Sequence, residues 1–249
     1  MGKNRYHQGR RHQSFVPVVI LVSLVAMLLG MSAFFRVTNI SVKGVSYYTQ
    51  EQISEASGIK MGASLLLLSP SKVALNICGD LVFVKEVRID KIYPGTVQIT
   101  VTESMPVAYI RDNMDFWTMD SDGQILEQTT SDAVEGLISV RGIQQPVLET
   151  GQLISSKSNV DVASTVSRIL HALLARTYAF EPVWIDLTNV GNITVNCGEN
   201  YTIVLGSADK LEEKFALAEA VLGKQEEGSA GTVDVSAADA AHFIPASDS

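Results

Sequence analysis

The chain has little of what most small catalytic or nucleic-acid-binding proteins depend on. It contains two cysteines, four histidines, two tryptophans and only 7% aromatic residues among 249. Two cysteines cannot make a disulfide framework, and a body of this length does not need one to build a core. Cys78 falls in a helical pattern and Cys197 in a strand pattern, so both are expected to be free, buried thiols. With His171 and His242 scattered, the sequence offers no metal-ligand spacing, and neither metal nor cofactor is expected. Basic residues are also scarce once the N-terminus is set aside. Removing Lys3, Arg5, Arg10 and Arg11 leaves 15 Lys and Arg against 27 Asp and Glu, a net of −12. A body this acidic is repelled by phosphate backbones and by anionic lipid headgroups, which excludes a nucleic-acid partner and leaves proteins as the expected ligands.

What the sequence does have is one long apolar run. Phe15 to Phe35 spans 21 residues without a charged side chain. As a helix rising about 1.5 Å per residue it covers about 30 Å, the thickness of a bilayer core. Four basic residues precede it and only Arg36 and Lys43 follow closely, so the positive-inside rule keeps the N-terminus in the cytoplasm. We read a cytoplasmic tail over 1–14, a transmembrane helix over 15–35 and an extracytoplasmic body. A cleaved signal peptide is the competing reading, since Gly30-Met31-Ser32 offers small residues. Its apolar region would usually be about 7–15 residues long, which favours the uncleaved anchor.

The body divides into two blocks. Over 36–104 the pattern is strand, helix, helix, strand, strand. Ile40 and Val42 alternate in the first strand, which Gly44 ends. Thr49 and Gln52 form a capping box ahead of Ile53 and Ala56, and Gly58 closes that short helix. Pro70 opens a second helix carrying Val73, Leu75 and Ile77. Strands over Phe83–Ile92 and Val97–Thr102 flank Pro94-Gly95, read as the centre of a type II turn. Val97, Ile99 and Val101 face one side and Gln98, Thr100 and Thr102 the other, as in a sheet covered by helices on one face.

Over 105–246 strand composition appears at Val107–Ile110, Phe116–Met119, Leu137–Val140, Val183–Leu187, Ile193–Asn196 and Tyr201–Leu205. Asp122-Gly123 signals a hairpin turn. Helices fit Val160–Tyr178, with Val162, Val166, Ile169, Leu170, Leu173 and Leu174 on one stripe, and Ala208–Leu222. A polar linker, Lys224–Gly231, leads to apolar pieces at Thr232–Val235 and Ala240–Pro245, which extend a sheet edge. The fold class is therefore α+β: a single N-terminal transmembrane helix, a βααββ domain, and a mostly antiparallel β-rich domain with two helices, ending at 247–249.

Catalytic motifs fail on inspection. Ser69-Pro70-Ser71-Lys72 and Ser207-Ala208-Asp209-Lys210 fit Ser-x-x-Lys, but the Ser-Asp-Asn and Lys-Thr-Gly companions of penicillin-binding enzymes are missing. Both serines precede helices and read as N-caps. Asp120-Ser121-Asp122-Gly123 lacks the later ligands of a calcium loop and reads as a tight turn. No enzyme is expected.

The residues resemble a known family. The βααββ order, Val84-Lys85-Glu86-Val87-Arg88-Ile89 and Tyr93-Pro94-Gly95-Thr96-Val97 through Glu103 and Val107-Ala108 are similar to the POTRA domain of the FtsQ/DivIB family of bacterial cell-division proteins. Trp117 to Ile125, Ile203-Val204-Leu205-Gly206-Ser207 and Thr232-Val233-Asp234-Val235 resemble that family's β-domain. Ser104 stands where the family often has arginine, which removes a surface ion pair. The resemblance implies a scaffold at the division septum, in the bacterial plasma membrane, that holds FtsB/DivIC and FtsL proteins and helps regulate septal peptidoglycan synthesis. It also implies partner binding by β-augmentation at the late strands. The residues at those positions here are Thr232, Val233, Asp234, Val235 and Ser236, followed by His242, Phe243 and Ile244. A POTRA-bearing chaperone or translocation component is the alternative, although neither POTRA repeats nor a barrel pattern is present.

Overall fold

The computed structural model describes residues 15–157, 161–198, 200–226 and 229–246. Its contacts separate Met1–Glu103 from Ser104–Ser249. The tail expected at 1–14 and the end at 247–249 lie outside the described residues.

The first unit begins with helix α1, Val16–Phe34, 19 residues that include no acidic or basic side chain. Among the residues whose side chains are described, which omit 28, 29 and 31–33, no helix is long and apolar enough to cross a membrane. Of the span expected over 15–35, Val16–Phe34 is helical.

Behind it come β1 (Asn39–Lys43), α2 (Gln50–Ala56), α3 (Pro70–Asp80), β2 (Val84–Ile92) and β3 (Thr96–Glu103). The central strand is β3, parallel to β1 and antiparallel to β2. Its Val97, Ile99 and Val101 are buried against Ile53 of α2 and Val73 and Ile77 of α3. Each such side chain contributes about 2 kcal/mol of transfer free energy. The Thr49 capping box is present in full, with the Gln52 amide donating to Thr49 Oγ1 at 3.2 Å and the Thr49 amide to Gln52 Oε1 at 2.8 Å. Ser69 caps α3 and Pro70 stands in its first turn. Leu75, expected on the apolar stripe, is 72% exposed. It lies two positions from both Val73 and Ile77, so about 200° of helical rotation carries it to the opposite face.

The β2–β3 turn is not type II. The Tyr93–Pro94 bond is cis and Gly95 has no positive φ, which makes this a proline turn of another class. Glycine is required at 95 for space, because a Cβ there would lie 2.6 Å from both the Arg36 carbonyl oxygen and Thr38 Oγ1. Glu103 ends β3 by accepting from the amides of Ser46 and Tyr47, both at 2.7 Å, and of Tyr48 at 3.0 Å. Desolvation pushes this carboxyl up, but the three amide donors outweigh it and hold it below its ordinary value.

The second unit contains β4 (Ala108–Asp112), β5 (Asp115–Met119), β6 (Ile125–Thr129), a 3-10 turn (Ser131–Val134), β7 (Ile138–Arg141), the short pair β8 (Pro146–Val147) and β9 (Ser155–Ser156), α4 (Val162–Leu174), β10 (Pro182–Asp186), β11 (Ile193–Cys197), β12 (Tyr201–Gly206), α5 (Leu211–Leu222), β13 (Gly231–Asp234) and β14 (His242–Pro245). Among the described residues nine strands form one sheet in the order β14-β13-β12-β11-β10-β7-β4-β5-β6. Most neighbours are antiparallel, but β4–β7, β7–β10 and β12–β13 are parallel. The last two are the pairs whose connections run through α4 and α5, and a crossover helix is what parallel pairing requires. The stripe Val162, Val166, Ile169, Leu170 and Leu173 is buried, whereas Leu174 is 48% exposed at the helix end. The helix start expected at Val160 lies outside the described residues.

Three local expectations change. Ser104 is not a surface residue; it is 5% exposed and donates to Asp120 Oδ2 at 2.9 Å. The other Asp120 oxygen accepts from the Asp122 and Gln124 amides, so the Asp-Ser-Asp-Gly segment is a tight turn. Second, α5 starts at Leu211, not Ala208, and Ser207 does not cap it. Lys214 is fully buried, donating to the Leu205 and Ser207 carbonyls and to Asp209 Oδ1, each at 2.9 Å. Third, Cys78 is exposed while Cys197 is buried, both as free thiols.

Candidate functional site

The last two strands are placed by the helix before them. From α5 the chain crosses back to lay β13 parallel to β12, with the Gly231 amide on Asn200 O and the Val235 amide on Val204 O, both at 2.9 Å. After β13, Asp234 Oδ1 accepts from the Ser236 amide at 2.9 Å and turns the chain. Hydrogen bonds from the Ser236 amide and hydroxyl hold the Asp234 carboxyl below its ordinary value. β14 then returns antiparallel, pairing Gly231 with Pro245, Thr232 with Ile244, Val233 with Phe243 and Asp234 with His242.

The expected binding residues therefore separate into two sets. Val233 and Val235 are wholly buried in the core, and no partner can reach their side chains. Phe243 lies on the same face, half-buried, 6.5 Å from the Tyr201 ring. On the other face the register brings together Thr232 with Ile244 and Asp234 with His242. Ile244 is 56% exposed, His242 and Ser236 are exposed, and Thr232 and Asp234 are half-buried.

Backbone pairing distinguishes the strands further. β13 is hydrogen-bonded on both sides, so it is not an edge. β14 is. The Ala246 amide donates to Ala230 O at 2.9 Å, and the register continues this pair as 230 with 246. Antiparallel pairs alternate between bonded and unbonded, so 232/244 and 234/242 exchange hydrogen bonds while 231/245 and 233/243 do not. The N–H and C=O of Phe243 and the C=O of Pro245 consequently point away from the sheet. Pro245 sits where its missing N–H costs the ladder nothing. The far edge, β6, is less open: Ile125 exchanges backbone bonds with Gln152 and Gly151, and Gly123 O accepts from the Ile154 amide at 2.8 Å.

Sequence reading missed Gly231. A Cβ there would lie 2.5 Å from Ile244 O and 2.8 Å from two ring carbons of Phe243. The Gly-Thr-Val pattern marks a strand start, but only the structure shows that the glycine makes room for an aromatic ring. Ser69 Oγ accepts from the Lys72 amide at the α3 cap, as its reading as an N-cap expects, and Ser207 Oγ donates to Asp209. His171, on α4, is exposed with Nε2 2.6 Å from Asp122 Oδ1.

Comparison with known proteins agrees with this architecture. Residues 35–104 match the family model described as "POTRA domain, FtsQ-type". The chain is similar to the cell division protein DivIB of Clostridium tetani, 22% identical over 209 residues that cover 84% of this chain and 78% of the relative. DivIB of Clostridium botulinum is 25% identical over 224 residues, covering 88% of this chain and 85% of the relative. The cell division protein FtsQ of Corynebacterium glutamicum is 23% identical over 212 residues, with coverage of 84% and 88%. The βααββ unit therefore matches an FtsQ-type POTRA domain, and the chain as a whole is similar to DivIB and FtsQ cell division proteins along most of its length.

Proposed function

We propose that this protein is a non-enzymatic, single-pass membrane scaffold of the bacterial division machinery, which binds FtsB/DivIC-type and FtsL-type proteins and so helps regulate septal peptidoglycan synthesis. The observation that carries the reading is β14: a four-residue edge strand with outward backbone groups at Phe243 and Pro245, at one end of a nine-stranded sheet. A partner strand adding there gains affinity from backbone hydrogen bonds and selectivity from His242 and Ile244. The names of the relatives, cell division proteins DivIB and FtsQ, support the division role.

The domain plan is part of the same proposal: cytoplasmic tail 1–14, membrane helix 15–35, POTRA domain 36–104 and β-domain 105–246. The anchor is supported by a 19-residue helix without acidic or basic side chains, preceded by four basic residues. The scaffold is tested by co-purifying the full chain with the host's FtsB/DivIC-type and FtsL-type proteins, beside a chain truncated after Lys224. Capture by the full chain and its loss in the truncation fit the reading. Equal capture by both contradicts it.

A further inference from the structure

The polypeptide leaving α1 is gripped at once by two loops of the first unit. The Leu65 amide donates to Phe35 O at 2.9 Å, the Gly62 amide to Val37 O at 2.8 Å, and Arg36 Nη1 to Gly62 O at 3.2 Å. On the other side the Thr38 and Asn39 amides donate to Gly95 O, and the Tyr93 ring meets the Phe35 ring edge-on at 5.4 Å between centroids. Lys91 Nζ donates to Leu66 O at 3.1 Å, tying the two loops to each other. The end of α1 and both loops thus form one surface.

Its composition differs from the rest of the molecule. Large apolar side chains point to solvent there: Leu67 is 87% exposed, Phe34 67%, Met61 61% and Tyr93 56%. No core lies beyond them among the described residues. In a chain with 27 acidic residues, none falls within 34–41, 58–69 or 91–97, while Arg36, Lys60 and Lys91 do. Exposed leucine, methionine and aromatic rings rimmed by cations are what an interface between water and lipid headgroups attracts. A protein partner is not needed to explain the patch, since α1 ends one residue before Phe35 and fixes these loops beside whatever surrounds that helix end.

We propose that this surface is a membrane-contact face: Met61, Leu67 and Tyr93 insert at the headgroup level of the bilayer that holds α1, with Arg36, Lys60 and Lys91 on anionic lipid phosphates. The inference rests on the proposed anchor reading of α1. Its consequence is mechanical, because the first unit is then held against the membrane at the helix exit instead of swinging from it as from a free tether.

The test uses the full chain, with Cys78→Ser so that only the buried Cys197 remains besides an introduced thiol. Single variants Leu67→Cys, Met61→Cys and, as control at the other end of β1, Lys43→Cys carry an environment-sensitive fluorophore. The protein is reconstituted in phosphatidylcholine vesicles with and without phosphatidylglycerol, and flotation after alkaline extraction reports on α1 separately. Expected is several-fold stronger quenching by headgroup-level spin-labelled lipid at 67 and 61 than at 43, the reverse order with an aqueous quencher, and a larger contrast in anionic vesicles. Vesicles that retain the protein while 61 and 67 quench like 43 overturn the contact face and leave the anchor standing. Protein that fails to float overturns both.

Discussion

The ring of Phe243 occupies the space that a side chain at Gly231 would fill, since a Cβ at 231 would come within 2.8 Å of two of its carbons. One residue without a side chain on β13 thereby seats the aromatic residue that fastens β14 to the sheet. Gly231→Val forces the ring and the Ile244 carbonyl, 2.5 Å from the new Cβ, to move. We expect a loss of about 1–3 kcal/mol and faster amide exchange across 242–246. Unchanged exchange in β14 would show that the ring is not what holds it.

Truncating the aromatic partner separates docking from folding. Phe243→Ala leaves Val233 and the core beneath it in place and removes a half-buried ring, so we expect about 2 kcal/mol of lost stability and a larger fractional loss of partner affinity, read by calorimetry with the FtsB/DivIC-type protein. Affinity that falls only with global stability would place the contact elsewhere.

Lys214 makes the second unit sensitive to one substitution. Its side chain is buried and donates to the Leu205 and Ser207 carbonyls. Lys214→Met removes both bonds from a buried site and is expected to cost about 3 kcal/mol, seen as a lower urea midpoint with unchanged slope. Asp209→Asn should be milder, because that carboxylate is 59% exposed.

Acid acts on the first unit through Glu103. Its folded pKa lies below the ordinary 4.5, so its contribution is full above that value and fades as pH falls through the folded value. Partial exposure screens the interaction, and about 1 kcal/mol is at stake. Glu103→Gln should lower the urea midpoint of the POTRA transition at pH 7 and match the parent at pH 2. A constant difference between the two at both pH values would refute the charged role.

The thiols should differ in reach. Cys78 is exposed and Cys197 is buried, its pKa pushed up to about 12 by desolvation. Maleimide at neutral pH should label Cys78 alone in the folded chain and both residues in denaturant.

Much of this organisation is written locally. Thr49 with Gln52, Ser69 with Pro70, and the alternation Val97, Ile99, Val101 each carry a short-range physical signal, and each forms as expected. The failures have non-local causes. Pro94-Gly95 reads as a type II turn from its residue types, but the Tyr93–Pro94 bond is cis, and the glycine serves instead to leave space beside Arg36 and Thr38, which are distant in sequence. Ser207 looked like a cap because the burial of Lys214, seven residues on, is a tertiary event. At the candidate site, the segment 232–236 was legible as a strand, but whether it is an edge depends on β14 pairing beyond it. That pairing puts the outward backbone groups on β14 and not on β13.

The central claim is strand addition at β14, and amide exchange resolved by residue, on the full chain with and without the FtsB/DivIC-type partner, tests it most directly. The Phe243 amide points away from β13, whereas those of His242 and Ile244 are already bonded to it. The account predicts strong new protection at Phe243 on partner binding, with little change at His242 and Ile244. Saturating partner that leaves the Phe243 amide exchanging as before would contradict it.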